Sequence, residues 1–536
     1  MLDRVKAREK EFSFLWDRMD FDEELITDYK YILEDYPEKG SKEIRDAYSV
    51  TRNIPSNDYN KFTNKLIALR RKIKVHSDDL EFDEGKIIQF CLDSDFAVDQ
   101  FLAHKGKHGS RTFHNAFICH RGWVAEQTLW RYGDGKLVTD SRPLDPRWVV
   151  WDTDGEQISL GCTITFRYPS DVNSEYHLPN KKFPAFTGTK LLKIRDCWDL
   201  KKNKVYVEGN LVLEEDNSFV DFNEKPYVPI IILPAPYGPV ISSDEQLEYT
   251  GESIFYPQRH TYDEANFAAS ISKTMAREGL FPAYQTKGKA PKQYPVSRDI
   301  AQDQTEPLEL IPQRDMTNAQ RNYQGMVDGD LQTSTYASVG PGFPNLPMSG
   351  DAIGLVNSGG AEALSSRIQG LKAFDAMVYR QRLDQFIQIG KKLNIGRSRR
   401  HTPSDLTGDY EISVHYIDTS LESYARRGAT AATFGGIMPK VWVRDNIIMA
   451  EDPDKIDELV DMEEAEVAYP IINMIDRTLD FIRQHTPEAN AKARALAKQT
   501  ISMVRQQMLG NEVSPRQQRE STPIVNMATQ RTAGNE

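Results

Sequence analysis

Residues 1–118 place apolar side chains at intervals of three and four, which is the spacing of one helix face. In the segment 85–104, for example, Ile87 and Cys91 fall on the same face. A basic amphipathic stretch, 61–75, precedes that segment. The N-terminal part of the chain is therefore predicted to be mostly helical.

The pattern changes after Gly122, where short β-branched and aromatic runs alternate with turn signals. The turns have the sequences YGDGK, RPLDP and DTDGE, and Asp-Gly supplies the positive φ that tight hairpin turns require. Short runs of the same style follow at 189–215. Residues 122–235 are therefore predicted to form an antiparallel sheet region.

Helical spacing returns in the second half of the chain. Residues 251–280 predict one helix of about 30 residues, roughly 45 Å long at 1.5 Å per residue, and residues 316–338 predict another. The polar segment 281–312 between them contains two short strand-like pieces around a loop. Two further helices are predicted at 360–393 and 486–510.

A long and almost uncharged segment lies between two of these helices. Residues 338–360 read SVGPGFPNLPMSGDAIGLVNSGG and carry one charged side chain, Asp351. Loops of this length without structure of their own are uncommon in compact domains and usually have a function. We therefore predict a functional loop here, and its lack of Lys and Arg means that it would not bind phosphate groups.

Composition narrows the class of protein. At 536 residues the chain is too long for one core, so several domains are expected. A net charge of −12 argues against a protein whose whole surface binds nucleic acid by neutralising phosphates. No apolar run reaches the roughly 18 residues of a membrane helix, and no secretory signal is visible. The four cysteines lack a C-x-x-C spacing and are predicted to be free thiols in a reducing compartment.

Familiar catalytic and cofactor motifs are absent from the sequence. It contains no G-x-x-x-x-G-K-[ST] phosphate loop, no G-x-S-x-G and no H-E-x-x-H. The segment 104–120 has side chains that could bind zinc, but its glycines would break a helix and its lysines would repel a cation. We therefore expect neither an enzyme nor a cofactor; the side chains of that segment are His104, His108, His114, Cys119 and His120.

The order of the predicted elements resembles that of the portal (head-to-tail connector) proteins of tailed bacteriophages. The resemblance covers almost the whole chain and rests on order and spacing. Its local cues are the hairpin-rich segment 121–155, the segment 224–238 that leads to the helix from Gly251, and the Gly/Pro loop before the helix from Gly360. It implies an α+β chain with a mixed α/β wing, a two-helix stem, a small α/β clip, a long wing helix and a helical crown.

The resemblance also assigns each segment to a part of that portal-like fold. In chain order, the assignment is 1–249 to the N-terminal part of the wing, 250–280 to the first stem helix, 281–315 to the clip, 316–338 to the second stem helix, 339–359 to the tunnel loop, 360–461 to the long helix and C-terminal part of the wing, 462–510 to the crown and 511–536 to a disordered tail.

The family implies a structural protein that forms a dodecameric ring at one capsid vertex. The ring is the channel through which double-stranded DNA is packaged and ejected, without sequence specificity. Its expected partners are the major capsid protein, the terminase during packaging, and head-tail adaptor or tail proteins afterwards, with no membrane contact. The expected location is the virion at the head–tail interface, and the host cytoplasm during assembly.

The dimensions of such a ring suit duplex DNA. Twelve stem helices about 10 Å apart would leave a bore of about 28 Å, and B-DNA is roughly 20 Å across. The tunnel loops would fill the gap, and glycine would let them yield as the duplex moves. The residues expected to face DNA are Gly340, Pro341, Gly342, Phe343, Asn345, Met348 and Ser349. The residues expected to bind partners at the clip are Tyr284, Lys287, Lys289, Lys292 and Tyr294.

Three other classes of protein fit parts of this pattern. Another ring-forming virion connector or adaptor would share the architecture, although adaptors are usually much shorter. A DNA-processing enzyme is the second alternative; the missing phosphate loop argues against a packaging ATPase, and a nuclease would need a metal-binding carboxylate cluster. A metalloprotein built on 104–120 is the third, and metal analysis of the purified protein would test it.

Deletion of residues 286–292 tests the predicted clip. The deleted segment carries the lysines, so the ring should still assemble while binding of the adaptor is abolished. Co-sedimentation of assembled rings with the adaptor measures this, and normal adaptor binding by the deleted protein would contradict the assignment.

Overall fold

The computed structural model of the chain describes most of its first 418 residues and short stretches beyond them. The described residues are 1–27, 30–33, 47–79, 82–133, 135–155, 157–179, 184–239, 246–280, 284–285, 309–310, 318–334, 350–396 and 399–418, with 427–431, 433, 438, 443, 447, 492 and 494–501. The chain forms two compact units, Met1–Thr419 and Ser420–Glu536. Helices and sheets together make this a mixed α+β protein. In the second unit, residues 427–431 and 494–501 are helical.

The N-terminal region is mostly helical, as the apolar spacing predicts. Its elements are α1 (Leu2–Glu11), α2 (Ser13–Thr27), α3 (Ile54–Ala68), β1 (Leu69–His76), α4 (Glu84–His104) and α5 (Ser110–His120). The exception is β1, which takes up the end of the stretch that reads as a basic amphipathic segment. Ile73 and Val75 point into the core two residues apart, and β1 pairs with a distant C-terminal strand, β14 (Glu411–Asp418).

Two antiparallel sheets follow, and they confirm the region predicted from the Asp-Gly turns. The first sheet has the order β3-β2-β9 and consists of β2 (Trp123–Gly133), β3 (Lys136–Leu144) and β9 (Ile230–Pro234). The second sheet is a meander whose strands pair in chain order: β4 (Val149–Thr153), β5 (Ile158–Arg167), β6 (Leu192–Asp199), β7 (Lys202–Val207) and β8 (Asn210–Asp216). A short helix, α6 (Pro169–Glu175), lies between β5 and β6.

The largest apolar core joins these sheets to the N-terminal helices. Phe12 of the α1–α2 junction lies 4.3 Å from the ring of Trp151, and Trp151 lies 4.9 Å from Trp123, as measured between ring centroids. Ile230 and Ile232 of β9 complete the same cluster. Burying these large aromatic side chains together with the aliphatic ones stabilises this part of the fold.

The prediction of four free thiols is wrong for two of the cysteines. Cys162 of β5 and Cys197 of β6 form a disulfide, with their Cα atoms 4.0 Å apart. These two residues stand directly opposite each other in the antiparallel ladder, so strand register brings together cysteines that lie 35 positions apart in sequence. Cys91 and Cys119 are free and buried.

The first of the paired helices starts later than the apolar spacing predicts. After a short helix, α7 (Gln246–Tyr249), the long helix α8 runs over Thr261–Leu280, so residues 251–260 are not part of it. Gly251 has a φ of +67°, and a Cβ at this position would lie 2.6 Å from the indole nitrogen of Trp123. A glycine in the left-handed region therefore turns the chain against the sheet before α8 begins.

The remaining elements connect α8 to the C-terminal part of the first unit. Two short strands, β10 (Tyr284–Gln285) and β11 (Glu309–Leu310), pair antiparallel and agree with the two strand-like pieces predicted in this segment. They are followed by α9 (Asn318–Ser334), the long helix α10 (Gly350–Ile389), and a small antiparallel pair, β12 (Leu393–Ile395) and β13 (Arg399–His401).

Helix α10 begins ten residues before the predicted start at Gly360, so 350–359 of the predicted tunnel loop are helical. Glycine costs only about 1 kcal/mol in a helix interior. A helix that is already nucleated gains one hydrogen bond for each residue added, and this gain offsets such a cost. At its other end α10 stops at Ile389, and Gly390 has the positive φ, +67°, that is common just beyond a helix.

Replacing Gly251 by alanine should destabilise the protein by more than a backbone effect alone. The left-handed conformation costs an alanine about 1–3 kcal/mol, and the clash with Trp123 adds to this. Gly106 is the matched control, because its φ is +70° and its Cβ would meet nothing within 4 Å. Urea unfolding should therefore give a larger loss for Gly251→Ala than for Gly106→Ala. Equal losses of unfolding free energy in the two variants would mean that the close approach to Trp123 does not contribute to stability.

Candidate functional site

Most residues predicted to touch DNA or a partner lie outside the described residues. This holds for Gly340, Pro341, Gly342, Phe343, Asn345, Met348 and Ser349, and also for Lys287, Lys289, Lys292 and Tyr294. The exception is Tyr284, the first residue of β10, whose backbone pairs with Leu310. The structure does describe α8 and α9, the helices on either side of the predicted clip, and the long helix α10.

Helices α8 and α9 pack against each other through an apolar seam with polar contacts on its edges. Val327 and Leu331 of α9 are buried with Tyr262 and Ala265 of α8, together with Phe255 and Leu25. Beside the seam, Oγ of Ser272 lies 3.2 Å from Oε1 of Gln324. The Tyr323 hydroxyl donates to Glu264. The two helices therefore form one packed unit, which we call the helix pair.

A buried guanidinium group fixes the point where α8 leaves the body of the chain. Arg259, two residues before α8, donates two hydrogen bonds of 2.9 Å to the carboxylate of Asp22 and one of 2.8 Å to Glu252. Asp22 and Glu252 are each only 1% exposed. Burial opposes the charge of Arg259, but its hydrogen bonds to both carboxylates, and their negative charge, outweigh burial and raise the pKa of the guanidinium. A bidentate pair of this kind also restricts orientation, so α8 has a defined starting direction.

The extended segment 48–52 runs beside α8 and is hydrogen-bonded to it at regular steps. The backbone N–H groups of Tyr48, Val50 and Arg52 donate to the side chains of Thr274, Ser270 and Asn266, at 2.9, 2.9 and 2.8 Å. The donors and acceptors stay in register because two residues of extended chain span about 6.6 Å and four residues of helix span about 6 Å. We call this set of contacts the polar ladder.

The intervening residues of the same segment bind on the opposite side. The hydroxyls of Ser49 and Thr51 accept hydrogen bonds of 3.0 Å from the backbone N–H groups of Leu33 and Tyr31. The alternation follows from the two-residue period of an extended chain. The segment 48–52 therefore connects α8 with the residues after α2.

Several large apolar side chains of the helix pair remain exposed in a single copy of the chain. Phe267 of α8 is 38% exposed, and Tyr323 and Met326 of α9 are 36% and 57% exposed. Arg52 and Asp328 form an ion pair of 2.6 Å beside them. Apolar and aromatic groups of this kind are typical of protein–protein contacts.

Helix α10 is held in the body by a buried network of charges. Arg382, 1% exposed, donates to Asp95 of α4 at 2.8 Å and to Glu126 of β2 at 2.9 Å. The Tyr379 hydroxyl donates to Asp95 at 2.6 Å, and Arg71 of β1 donates to the same carboxylate at 2.7 Å. Burial disfavours ionised Glu126, but Arg382 and then His114 outweigh it and lower the pKa of Glu126 to about 2. The network thus joins α10 to α4, β1 and β2.

A glutamine of α10 completes the hydrogen bonding of the central strand β2. The strand β9 pairs with β2 only over Trp123–Gln127. Beyond that point, Gln385 accepts a hydrogen bond of 2.7 Å from the N–H of Trp130 and donates one of 2.8 Å to the carbonyl of Thr128. The side-chain amide therefore takes the place of a neighbouring strand, which satisfies buried backbone groups and positions α10 on the sheet.

The candidate zinc ligands of 104–120 do not converge. His104 and His108 are exposed, whereas His114 is buried with its Nε2 3.0 Å from Glu126. The Nδ1 of His120 lies 2.7 Å from the carbonyl of Ala116, one turn earlier in α5. Among the described residues, no group of three His, Cys, Asp or Glu side chains is arranged to hold a metal ion.

The polar ladder and the α10 network are the contacts that sequence reasoning missed. Arg259, Asn266, Arg382 and Gln385 act over long sequence separations, and no local motif marks them. In the part of the chain that the structure describes, no helix is long and apolar enough to cross a membrane. The chain matches no protein-family model and no curated protein.

Replacing Ser270 by alanine should open the polar ladder. The change removes the acceptor of the Val50 N–H group, and an unsatisfied buried donor costs about 1–3 kcal/mol. Hydrogen exchange at the Val50 amide should therefore become about tenfold faster or more. Ser272→Ala is the matched control. Ser270 and Ser272 each donate a hydrogen bond of 2.7 Å to a carbonyl of their own helix, but Ser272 accepts no hydrogen bond from the backbone N–H groups of the polar ladder. Unchanged exchange at Val50 in Ser270→Ala would contradict the ladder.

Proposed function

We propose that the protein is the portal, or head-to-tail connector, of a tailed bacteriophage. The observation that carries the proposal is the order of elements around the helix pair. A body with two antiparallel sheets leads into α8, an antiparallel strand pair follows, α9 returns, and a 40-residue helix, α10, then packs on the body. This is the wing, stem, clip, stem and wing-helix order of the family that the sequence resembles.

In this proposal α8 and α9 form the stem. Helix α8 has 20 residues, which is about 30 Å at 1.5 Å per residue. Copies of the chain would stand side by side around the channel, and the exposed side chains of Phe267, Tyr323 and Met326 supply apolar area for contact with the next copy. Closed rings of identical subunits use one surface to bind a different surface of the neighbour.

The anchors of the stem suit a protein that transmits force. Arg259 fixes the base of α8, and the polar ladder supports α8 at three positions about one turn apart. Leu371, Phe374 and Leu383 bury one side of α10 in two apolar clusters of the body. The end of α10 that follows the predicted tunnel loop therefore continues into a firmly packed helix, so a load on that loop would pass to the body.

The charge of the chain agrees with a conduit for DNA. The net charge is −12, and the predicted tunnel loop 339–359 contains no Lys or Arg. Phosphate contacts with basic side chains dominate non-specific DNA affinity, so a lining without them offers little resistance to a moving duplex. The basic residues Lys287, Lys289 and Lys292 lie instead in the predicted clip, where the proposal has terminase and later an adaptor or tail protein bind.

The proposal also covers the capsid context. The wing, formed by the two sheets and their helices, would contact the major capsid protein at one vertex. The segments 360–461 and 462–510 would complete the wing and form the crown on the side of the packaged DNA. The protein would then act without chemistry of its own, as a channel and docking platform of the virion.

Electron microscopy of the purified full chain tests the proposal directly. Class averages should show closed rings of about twelve copies, with a hole of about 28 Å that admits duplex DNA. Met326→Glu should leave the chain folded but shift it towards monomers, because a buried charge in the ring contact is unfavourable. Val138→Glu is the control, since Val138 is 40% exposed on β3 of the body, away from the helix pair.

Two outcomes would contradict the proposal. A monomer at all protein concentrations, measured by mass photometry, would exclude a ring. A ring whose opening is too narrow for duplex DNA would exclude the channel.

A further inference from the structure

A cavity of about 440 Å³ lies between α10 and two loops. One loop contains Phe222 and precedes β9, and the other, 406–410, leads into β14. The cavity belongs to the first compact unit and every one of its walls comes from one copy of the chain. Its principal lining residues are Phe222, Arg380, Asp384, Ile387, Leu406 and Tyr410.

The carboxylate of Asp384 lines this cavity and is incompletely bonded. Asp384 is only 6% exposed, and its Oδ1 accepts no hydrogen bond from any described residue. The nearest cation is Arg380, one turn earlier, whose Nε lies 3.5 Å from Oδ1 without hydrogen-bond geometry. Oδ1 itself has almost no accessible surface, and no described residue donates a hydrogen bond to Oδ2 either, so the carboxylate as a whole lacks a donor.

Arg380 is held in place by aromatic rings. Its guanidinium carbon lies 4.2 Å from the ring centroid of Phe222 and 5.1 Å from that of Tyr410. Stacking between two rings restricts a guanidinium group to the plane between them. Arg380 therefore lowers the negative potential of the cavity without supplying the missing donor.

The walls combine negative charge with apolar surface. Asp221 and Asp409 also line the cavity, so three carboxyl groups face one guanidinium group. Oδ1 of Asp221 accepts hydrogen bonds of 2.8 Å from the backbone N–H groups of Asn223 and Lys225. Ile387 and Leu406 supply aliphatic wall. A ligand that fits must carry positive charge, at least one N–H donor and an apolar chain.

We propose that this cavity binds a primary alkylammonium group, whose N–H donates to the carboxylate of Asp384 while its carbon chain packs on Ile387, Leu406 and the ring of Tyr410. An ammonium group is compact and has three donors, so it fits beside a stacked guanidinium group better than a second planar cation does. The carboxyl groups disfavour anions. The ligand is a free amine or a lysine side chain, which share this chemistry.

The ionisation of Asp384 makes the binding depend on pH. Burial raises the pKa of Asp384 to about 6, Arg380 lowers it and Asp221 raises it. The other groups that face the site are Asp409 and Tyr410 of the second loop, and Tyr227 close by. Above pH 6 Asp384 is ionised and attracts the ammonium group, whereas below pH 6 it is protonated and the attraction is lost. Affinity should therefore fall about tenfold between pH 8 and pH 5.

Titration of the full chain with n-butylammonium at pH 8, followed by calorimetry, tests the proposal. Saturable binding is expected, with n-butanol, the neutral isostere, at least tenfold weaker. Asp384→Asn should weaken n-butylammonium at least tenfold. Asp405→Asn is the control and should bind as the unmodified chain does, because Asp405 is exposed and lies outside the cavity lining.

Other outcomes would overturn the proposal. These are no saturable binding, equal binding of n-butanol, or unchanged binding by Asp384→Asn. The pH comparison uses the unmodified chain, so equal affinity at pH 8 and pH 5 would overturn it even if the variant fails to fold. Nα-acetyl-lysine methylamide and 1,4-diaminobutane separate the two sources, since preference for the first indicates a lysine side chain and preference for the second indicates a free amine.

Discussion

The buried guanidinium group of Arg382, between Asp95 and Glu126, is the interaction on which the arrangement of the body depends. A buried charge is tolerated only when partners surround it, and removing one partner of such a pair costs about 3–5 kcal/mol. These partners come from α4 and β2, and Asp95 is shared with Tyr379 and Arg71. Any displacement of α10 along the sheet would separate several of these groups at once, so the helix has one favourable position.

Buried arginine–carboxylate pairs also occur where α8 and α2 meet the body. Arg259 joins Asp22 and Glu252, and Arg121, 1% exposed, joins Glu23 and Asp145. Apolar burial supplies most of the stability, but it is non-directional, whereas hydrogen-bonded arginine–carboxylate pairs restrict orientation. A protein that must keep a helix pair and a long helix in fixed directions gains more from such pairs than from additional apolar area.

Local signals in the sequence predicted the elements well and their connections poorly. The Asp-Gly turn between β2 and β3 and the spacing of Leu364, Leu371 and Phe374 on α10 are short-range patterns, and the structure confirms the elements they predict. The start of α8 was missed because the left-handed turn at Gly251 packs against Trp123, which is far away in sequence. Three other features were missed because distant or cooperative effects override local preference. Helix propagation extends the start of α10, pairing with β14 makes β1 a strand, and strand register brings Cys162 and Cys197 together. Of the predicted site, only Tyr284 falls among the described residues, and its strand is present.

The use of arginine connects this fold with the function we propose. Arg121, Arg259 and Arg382 direct their N–H groups to carboxylates and carbonyls of the same chain. A guanidinium group bonded in this way is not available to neutralise a phosphate, which is how basic side chains bind DNA without sequence preference. These three cations therefore stabilise the interior, while the chain as a whole keeps its excess of acidic groups. In the ring that we propose, buried pairs of this kind would attach the helices rigidly without adding free guanidinium groups to a surface that a polyanion must pass.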